Sequence, residues 1–363
     1  MIDRSLLKHI DWILISLLLL NSIIGLAFIY SSSHYLPGKY YLRQMIWIVV
    51  SLVALFLFLS VDYKALVSFA PYLYVLAIVT LVGVLLFGKF VAGAKSWLRL
   101  SYFQFQPSEL TKIVLIILMA SLFSKFRQDY VSWKKGFLSG AVIAGPVLLV
   151  ALQPDLGTAL SYVPIYLAAL ILAGINRKTF VYILIVTMVI GVIGWNFGLK
   201  DYQKKRLTTL ISPSKDPLGS GYHIQQSKIA IGSGGFLGKG FRKGTQSQLR
   251  FLPARHTDFI FSVVGEEFGF LGVVLALMCY FAFLQRLYQS VGISQDRAGV
   301  YIVFLVAVMI TFQFFINVMM VIGLFPITGT PLPLLSYGGS SLLTNYLGVS
   351  LILNVKMRRF VFV

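Results

Sequence analysis

Charge is scarce in this chain. Of 363 residues only 12% are Asp, Glu, Lys or Arg, and just 12 are acids. A soluble domain carries about 25% charged residues. At 58% hydrophobic content the chain holds more apolar surface than a water-soluble fold can hide, which leaves lipid as its solvent. Cysteine is nearly absent. Cys279 stands alone in an apolar run, so no intrachain disulfide is possible and the redox compartment stays open. A phosphate-binding P-loop is missing too. The run Gly232-Ser233-Gly234-Gly235-Phe236-Leu237-Gly238-Lys239-Gly240 has Ser233 where that loop requires glycine, and Gly240 where Ser or Thr would hold magnesium. No nucleotide cofactor is expected, and nothing marks nucleic acid as a partner.

What is present is apolar length. Runs near 12–30, 44–60, 68–87, 109–123, 137–152, 157–174, 179–197, 262–284, 300–323 and 341–355 approach or reach the ~20 residues that cross a bilayer as helix. The pattern predicts an all-α polytopic membrane protein, one domain over 1–363 with about ten transmembrane helices. The first run is long for a signal peptide and lacks a clear cleavage site, so it reads as a retained helix. Trp12, Tyr30, Tyr40, Tyr41, Trp133 and Trp195 flank apolar runs, where amphipathic rings favour the headgroup level. Gln153-Pro154-Asp155-Leu156-Gly157 reads either as a hairpin between two spans or as a break in one longer helix.

Lys and Arg orient the spans. With the N-terminus inside, the inner segments hold 14 basic residues, among them Lys64, Lys134, Lys135 and Arg297, against 5 in the short outer loops: Lys39, Arg43, Lys89, Lys95 and Arg99. That bias puts both termini in the cytoplasm. Another 11 basic residues lie in one long outer loop, 199–261, whose acids are Asp201, Asp216 and Asp258, for a net charge of +8. Such a surface attracts anionic lipid heads or a phosphorylated ligand. Its amphipathic piece Tyr222–Ile231 predicts a helix in the membrane interface.

Acids near apolar runs are costly and each needs a reason. Glu109 and Lys112, three apart at the start of the fourth span, can pair on one helix face, structurally or as the lining of a polar cavity. Ser108 after Pro107 is a plausible N-cap for that span. Asp155 reads as the cap of the helix from Leu156, and Asp258 either as a cap or as a functional acid beside Arg255 and His256. Of Glu266 and Glu267, at least one is expected to meet a cation or a wet cavity. Spacing establishes no metal site. The segment Pro326 to Ser341 is apolar enough to dip into the membrane but too rich in proline and glycine for a regular helix. Irregular backbone at that depth survives only buried in protein or lining a water-filled cavity.

Five segments together resemble the SEDS family (shape, elongation, division and sporulation). They are Gln106-Pro107-Ser108-Glu109, Gln153 to Thr158, Gly221 to Ser247, Leu252 to Phe261, and Pro326-Ile327-Thr328-Gly329 with Ser336-Tyr337-Gly338-Gly339-Ser340-Ser341. The likeness runs from the first span to the last. It implies a bacterial peptidoglycan glycosyltransferase of the cytoplasmic (inner) membrane. Such an enzyme polymerises lipid II into β-1,4-linked strands on the outer face, for elongation and rod shape, with a class B penicillin-binding protein as crosslinking partner. It marks Asp258 as the catalytic acid. On that reading the sugar hydroxyl needs a general base, Asp258, and the pyrophosphate leaving group needs positive charge. Arg43, Lys112 and Arg255 are candidates to supply that charge. Glu109, Asp155 and His256 complete the expected substrate contacts, and a divalent cation, magnesium or manganese, could share the role. Two other classes stay open at this point: a lipid II flippase and a non-catalytic scaffold.

Overall fold

A computed structural model describes residues 8–91, 94–100, 103–126, 132–193, 201–211, 216 and 219–360. Each apolar run falls on a helix, because in lipid only intra-segment hydrogen bonds satisfy a spanning backbone. The spans are α1 (Trp12–Ser33), α2 (Tyr40–Leu59), α4 (Ala70–Phe87), α5 (Pro107–Phe123), α6 (Trp133–Leu152), α7 (Leu156–Ala173), α8 (Arg177–Ile193), α12 (Ile260–Gln289), α13 (Arg297–Val321) and α14 (Gly339–Met357). Seven are long and apolar enough to cross a membrane on their own account. The other three, α5, α8 and α14, are shorter or less apolar, yet α5 and α14 are almost wholly buried among their neighbours. The short α3 (Tyr63–Ser68) follows α2. Between α8 and α12 lie α9 (Asp201–Ile211), α10 (Ser220–Ser233) and α11 (Thr245–Gln248). Trp195 and parts of the 199–261 loop, namely 199–200, 212–215 and 217–218, fall outside the described residues.

The break at 153–157 is a hairpin. α6 stops at Leu152, Pro154 takes a positive φ of 32°, and Asp155 caps α7 by accepting from Thr158 N at 3.1 Å. Tyr166 of α7 donates to Gly136 O of α6, which holds the two spans side by side. Ser108 does not cap α5. The cap position is Gln106, with Pro107 opening the helix where its missing N–H costs nothing.

One element lies outside the sequence expectation. The loop 88–106 forms a small antiparallel sheet, β1 (Lys89–Val91), β2 (Ala94–Leu100) and β3 (Phe103–Phe105), with β2 in the middle. Lys95 anchors it: Nζ donates to Leu85 O at 2.7 Å, satisfying a last-turn carbonyl of α4. Lys95 N donates to Gln153 O at 3.1 Å and ties the sheet to the α6–α7 hairpin.

α12 is not straight. Gly269 inside it has φ +62°, a left-handed value that breaks the ladder. The glycine-rich run after α10 repairs the break: Phe270 N donates to Gly235 O at 2.9 Å, and Gly240 N donates to Glu267 O at 2.8 Å. Both acids of this stretch are buried. Glu266 accepts from Lys239 Nζ at 2.9 Å and from the N–H of Gln246 and Ser247, while Glu267 accepts from Ser31. α10 packs on α12 through Ile224, Ser227 and Ala230, with Ser227 Oγ 2.8 Å from Ser262 Oγ.

The opposite face gathers the start of α1 and the end of α14. Asp11 caps α1 and meets Arg286 at 2.8 Å and also Lys356. Tyr63 donates to Asp296 at 2.8 Å, and Arg297 to Phe126 O at 2.6 Å. The start of α1 and the end of α14 therefore share one face, as ten crossings require. The sheet, the α6–α7 hairpin and the 326–338 segment lie on the other.

Burial alone would push the Asp11 carboxyl up, but the bonds from Arg286 and Lys356 outweigh it and hold it low. Removing one partner of a buried ion pair costs about 3–5 kcal/mol. Asp11→Asn should therefore lower the melting temperature of the detergent-purified protein markedly, and an unchanged melt would show that the cluster is solvated.

Candidate functional site

On the sheet-bearing face a cavity of about 1440 Å³ opens between α2, α5, α7, α9, the sheet, the turn before α12 and the 325–341 segment. Its charged lining is Arg43, Glu109, Asp155, Arg206 and Asp258. Three carboxylates thus share one chamber with two guanidiniums.

Glu109 sits in the first turn of α5 and is almost wholly buried. Lys112, a turn further in, donates to its Oε1 at 2.7 Å. Glu109 Oε2 has no hydrogen-bond partner among the described residues. The pair joins both earlier readings: Lys112 is the buried counter-ion, and Glu109 lines the chamber. Asp155 caps α7 and also accepts from Gln106 Nε2 at 2.6 Å and Thr158 Oγ1 at 3.0 Å. It ties the start of α5 to the start of α7. Gly157 brings this corner close to the opposite wall, since a Cβ there would lie 2.3 Å from Thr328 O.

Asp258 stands in the turn before α12, half-buried. It does not cap that helix. The cap position is Phe259, which makes no side-chain bond to the backbone. The helix dipole therefore does not hold its carboxyl down as it would at a cap. Desolvation pushes the Asp258 pKa up to about 6, against the opposing pull of the Thr257 hydroxyl and Arg206. A carboxylate in that range is a better proton acceptor than an ordinary one and is still largely ionised at neutral pH.

Arg255 and His256, expected beside the substrate, are not part of the cavity wall. Arg255 is buried, donates from Nε to Ser32 O at 2.9 Å and lies over the Tyr35 ring at 5.3 Å. The His256 ring packs against Tyr40 at 4.4 Å. Burial and the neighbouring Arg255 push its pKa down to about 4, so it carries no charge at neutral pH. Consecutive residues of a turn point in different directions, and only Asp258 of the three points inward. Arg206 takes the place expected of Arg255. It stands on α9, donates to Ile327 O at 3.3 Å and exerts a favourable field on ionised Asp258. Its only sequence signal was the basic run Lys204-Lys205-Arg206 in the cationic loop.

Among the described residues no three His, Cys, Asp or Glu converge as metal ligands. The donor set does not fit an all-protein cage. It fits at most a cation that arrives on substrate phosphates and takes one or two carboxylates.

Glu109→Ala and Lys112→Ala should each impair folding or activity severely, because each leaves a buried charge unpaired. The exchange Glu109→Lys with Lys112→Glu should recover part of the loss in a detergent melt. Wild-type behaviour of both single variants would show that the pair is not buried.

Residues 11–360 match the family described as cell cycle protein, whose members include FtsW, RodA and SpoVE. Peptidoglycan glycosyltransferase MrdB of Escherichia coli strain K12 is 38% identical over 354 residues, spanning 97% of this chain and 94% of its own length. Peptidoglycan glycosyltransferase RodA of Treponema pallidum is 32% identical, spanning 96% and 98%. A chain from a peptidoglycan synthase complex, described as coordinating polymerization and crosslinking, superposes with a TM-score of 0.82 at 30% identity over 97% of this chain and 98% of its own. The rod shape determining protein RodA of Thermus thermophilus superposes with a TM-score of 0.73 at 28% identity over the same shares. The chain belongs to the SEDS family of peptidoglycan glycosyltransferases.

Proposed function

We propose that this chain polymerises lipid II into β-1,4-linked glycan at the outer face of the bacterial cytoplasmic membrane, for cell elongation, with Asp258 as the general base. The observation that carries the reading is Asp258 itself, a carboxylate aimed into a large membrane-face cavity, pushed up by desolvation and set across from cationic Arg206 and Arg43.

The chemistry follows from the reactants. A sugar hydroxyl attacks the anomeric carbon of an α-linked glycosyl pyrophosphate. Asp258 takes the hydroxyl proton as the new C–O bond forms, and the bond to the lipid pyrophosphate breaks with inversion. A single carboxylate suffices without a covalent intermediate. The leaving pyrophosphate needs positive charge rather than an acid, and Arg43 and Arg206 supply it from two walls. Glu109 and Asp155 lie on the α5–α7 side, where they can hold sugar or peptide groups. We also propose that magnesium or manganese would be held by one or two of the cavity carboxylates and would add positive charge at the pyrophosphate.

The proposed partner is a class B penicillin-binding protein. The solved relative from a peptidoglycan synthase complex supports a crosslinking partner. α12 and α13 offer it an apolar outer surface that includes Phe270, Leu271, Leu275, Met278 and Phe315.

Asp258→Asn keeps size and removes the base. Loss of a general base costs about 10²–10⁴-fold in rate. The variant should lose strand synthesis on purified lipid II in detergent while keeping its fold. It should melt no lower than wild type at neutral pH, since an acid with a raised pKa burdens the fold above that pKa and not below the ordinary value near 4. Near-normal strand synthesis would sink the assignment, and wild-type protein that makes no strands would favour the flippase reading. Orientation is tested in intact cells with an impermeant thiol reagent in a Cys279→Ser background. Ser233→Cys should react and Gln295→Cys should not, and the reverse would invert the topology.

A further inference from the structure

The catalytic turn and the segment facing it are both irregular, and two buried side chains join them. Asn317, on α13 and fully buried, donates through Nδ2 to Asp258 O at 2.9 Å and to Thr330 O at 2.8 Å. Ser336 Oγ donates to Thr257 O at 2.5 Å and accepts from Leu332 N at 2.9 Å. The backbone adds one bond, from Tyr337 N to His256 O at 2.9 Å. Gln44 of α2 brackets the far side, donating to Ser336 O at 3.3 Å and accepting from Gly338 N at 3.2 Å. Both joined stretches wall the cavity: Thr257 and Asp258 on one side, Thr328, Gly329 and Pro331 on the other. Gly329, at φ +74°, leaves the space before the carboxylate open, since even a Cβ there would lie 3.8 Å from Asp258 Oδ2.

We propose that Asn317 and Ser336 are positioning residues for Asp258, a polar latch that fastens the backbone of the catalytic turn to the 328–336 segment and so sets where the carboxylate points. The proposal rests on Asp258 being the base. Its argument is the choice of acceptors. A buried amide that merely closed one loose turn would bond carbonyls of that turn alone. Asn317 instead divides its donor group between two separate stretches, the carbonyl of Asp258 and that of Thr330 on the facing segment. Asn354 of α14 uses the same chemistry on the opposite face, donating to Phe58, Leu59 and Val61 carbonyls, with no catalytic group nearby. It is the natural control.

The experiment compares strand synthesis by the purified full chain in detergent, on lipid II, across pH. Asn317→Leu is close in size and lacks the donors. Ser336→Ala removes one hydroxyl and tests the latch independently if Asn317→Leu does not fold. The charged groups that share the cavity, Arg43, Arg206, Glu109 and Asp155, stay in place, as do Arg255 and His256 behind the turn. A misplacement of about 1 Å costs on the order of 10²-fold in rate. Asn317→Leu should therefore lose about 10–100-fold in kcat, and Ser336→Ala about tenfold, with KM little changed. In both, the acid limb of the pH profile should move down, because a released turn admits water to the carboxylate. Asn354→Leu should lower the melting temperature and leave kcat and the acid limb alone. Folded Asn317→Leu and Ser336→Ala proteins with wild-type kcat and acid limb, beside an inactive Asp258→Asn, would overturn the latch while leaving the base intact. An active Asp258→Asn would overturn the base, and the latch with it.

Discussion

Buried irregular backbone has to find its hydrogen bonds inside the protein, and the wall of the cavity is arranged around that constraint. Three irregular stretches lie together around α12 and the cavity: the turn at 253–259, the segment 326–338 and the kink at Gly269. The first two bond to each other through Asn317, Ser336 and Tyr337 N, and the third is repaired by the glycine-rich run 232–240. Freed from helical geometry, the first two can turn a side chain inward and leave room before it. The inward-pointing Asp258 carboxylate and the open space at Gly329 are products of this exchange.

Electrostatics then decides which acid does what. Glu109 is neutralised by Lys112 at 2.7 Å, and Asp155 is saturated by Gln106 and Thr158. Among the described residues Asp258 has neither a direct counter-ion nor a set of backbone donors, and desolvation pushes its pKa up. One cavity therefore holds three carboxylates in three different bonding environments. Burial pushes the Asp155 carboxyl up as well, but both of its oxygens already accept from Gln106 and Thr158, which leaves Asp258 the freer of the two to accept a proton.

Much of this was legible in the sequence. Hydropathy found the ten spans because lipid imposes length and composition on each one. The Glu109–Lys112 pair followed from helical spacing, and Asp155 as a cap from its place after Pro154. The sheet at 89–105 was not legible, since two of its strands are three residues long and its anchor, Lys95, acts through backbone carbonyls of α4. Arg255 and His256 were misplaced because neighbours of Asp258 in sequence need not share its direction in a turn. Arg206 was missed for the converse reason. Some fifty residues separate it from Asp258, and only the packing of α9 over the cavity brings the two charges into one field.

The proposed role of Asp258 is to accept the proton of the attacking hydroxyl as a desolvated carboxylate in the turn before α12. The pH dependence of kcat/KM for lipid II polymerisation by the purified wild-type protein tests it most directly, because that profile reports the titration of the free enzyme's base. Activity should be lost as pH falls through about 6, the range in which Asp258 protonates. A profile flat through this range, with activity persisting until the ordinary carboxylate range near 4, would contradict it.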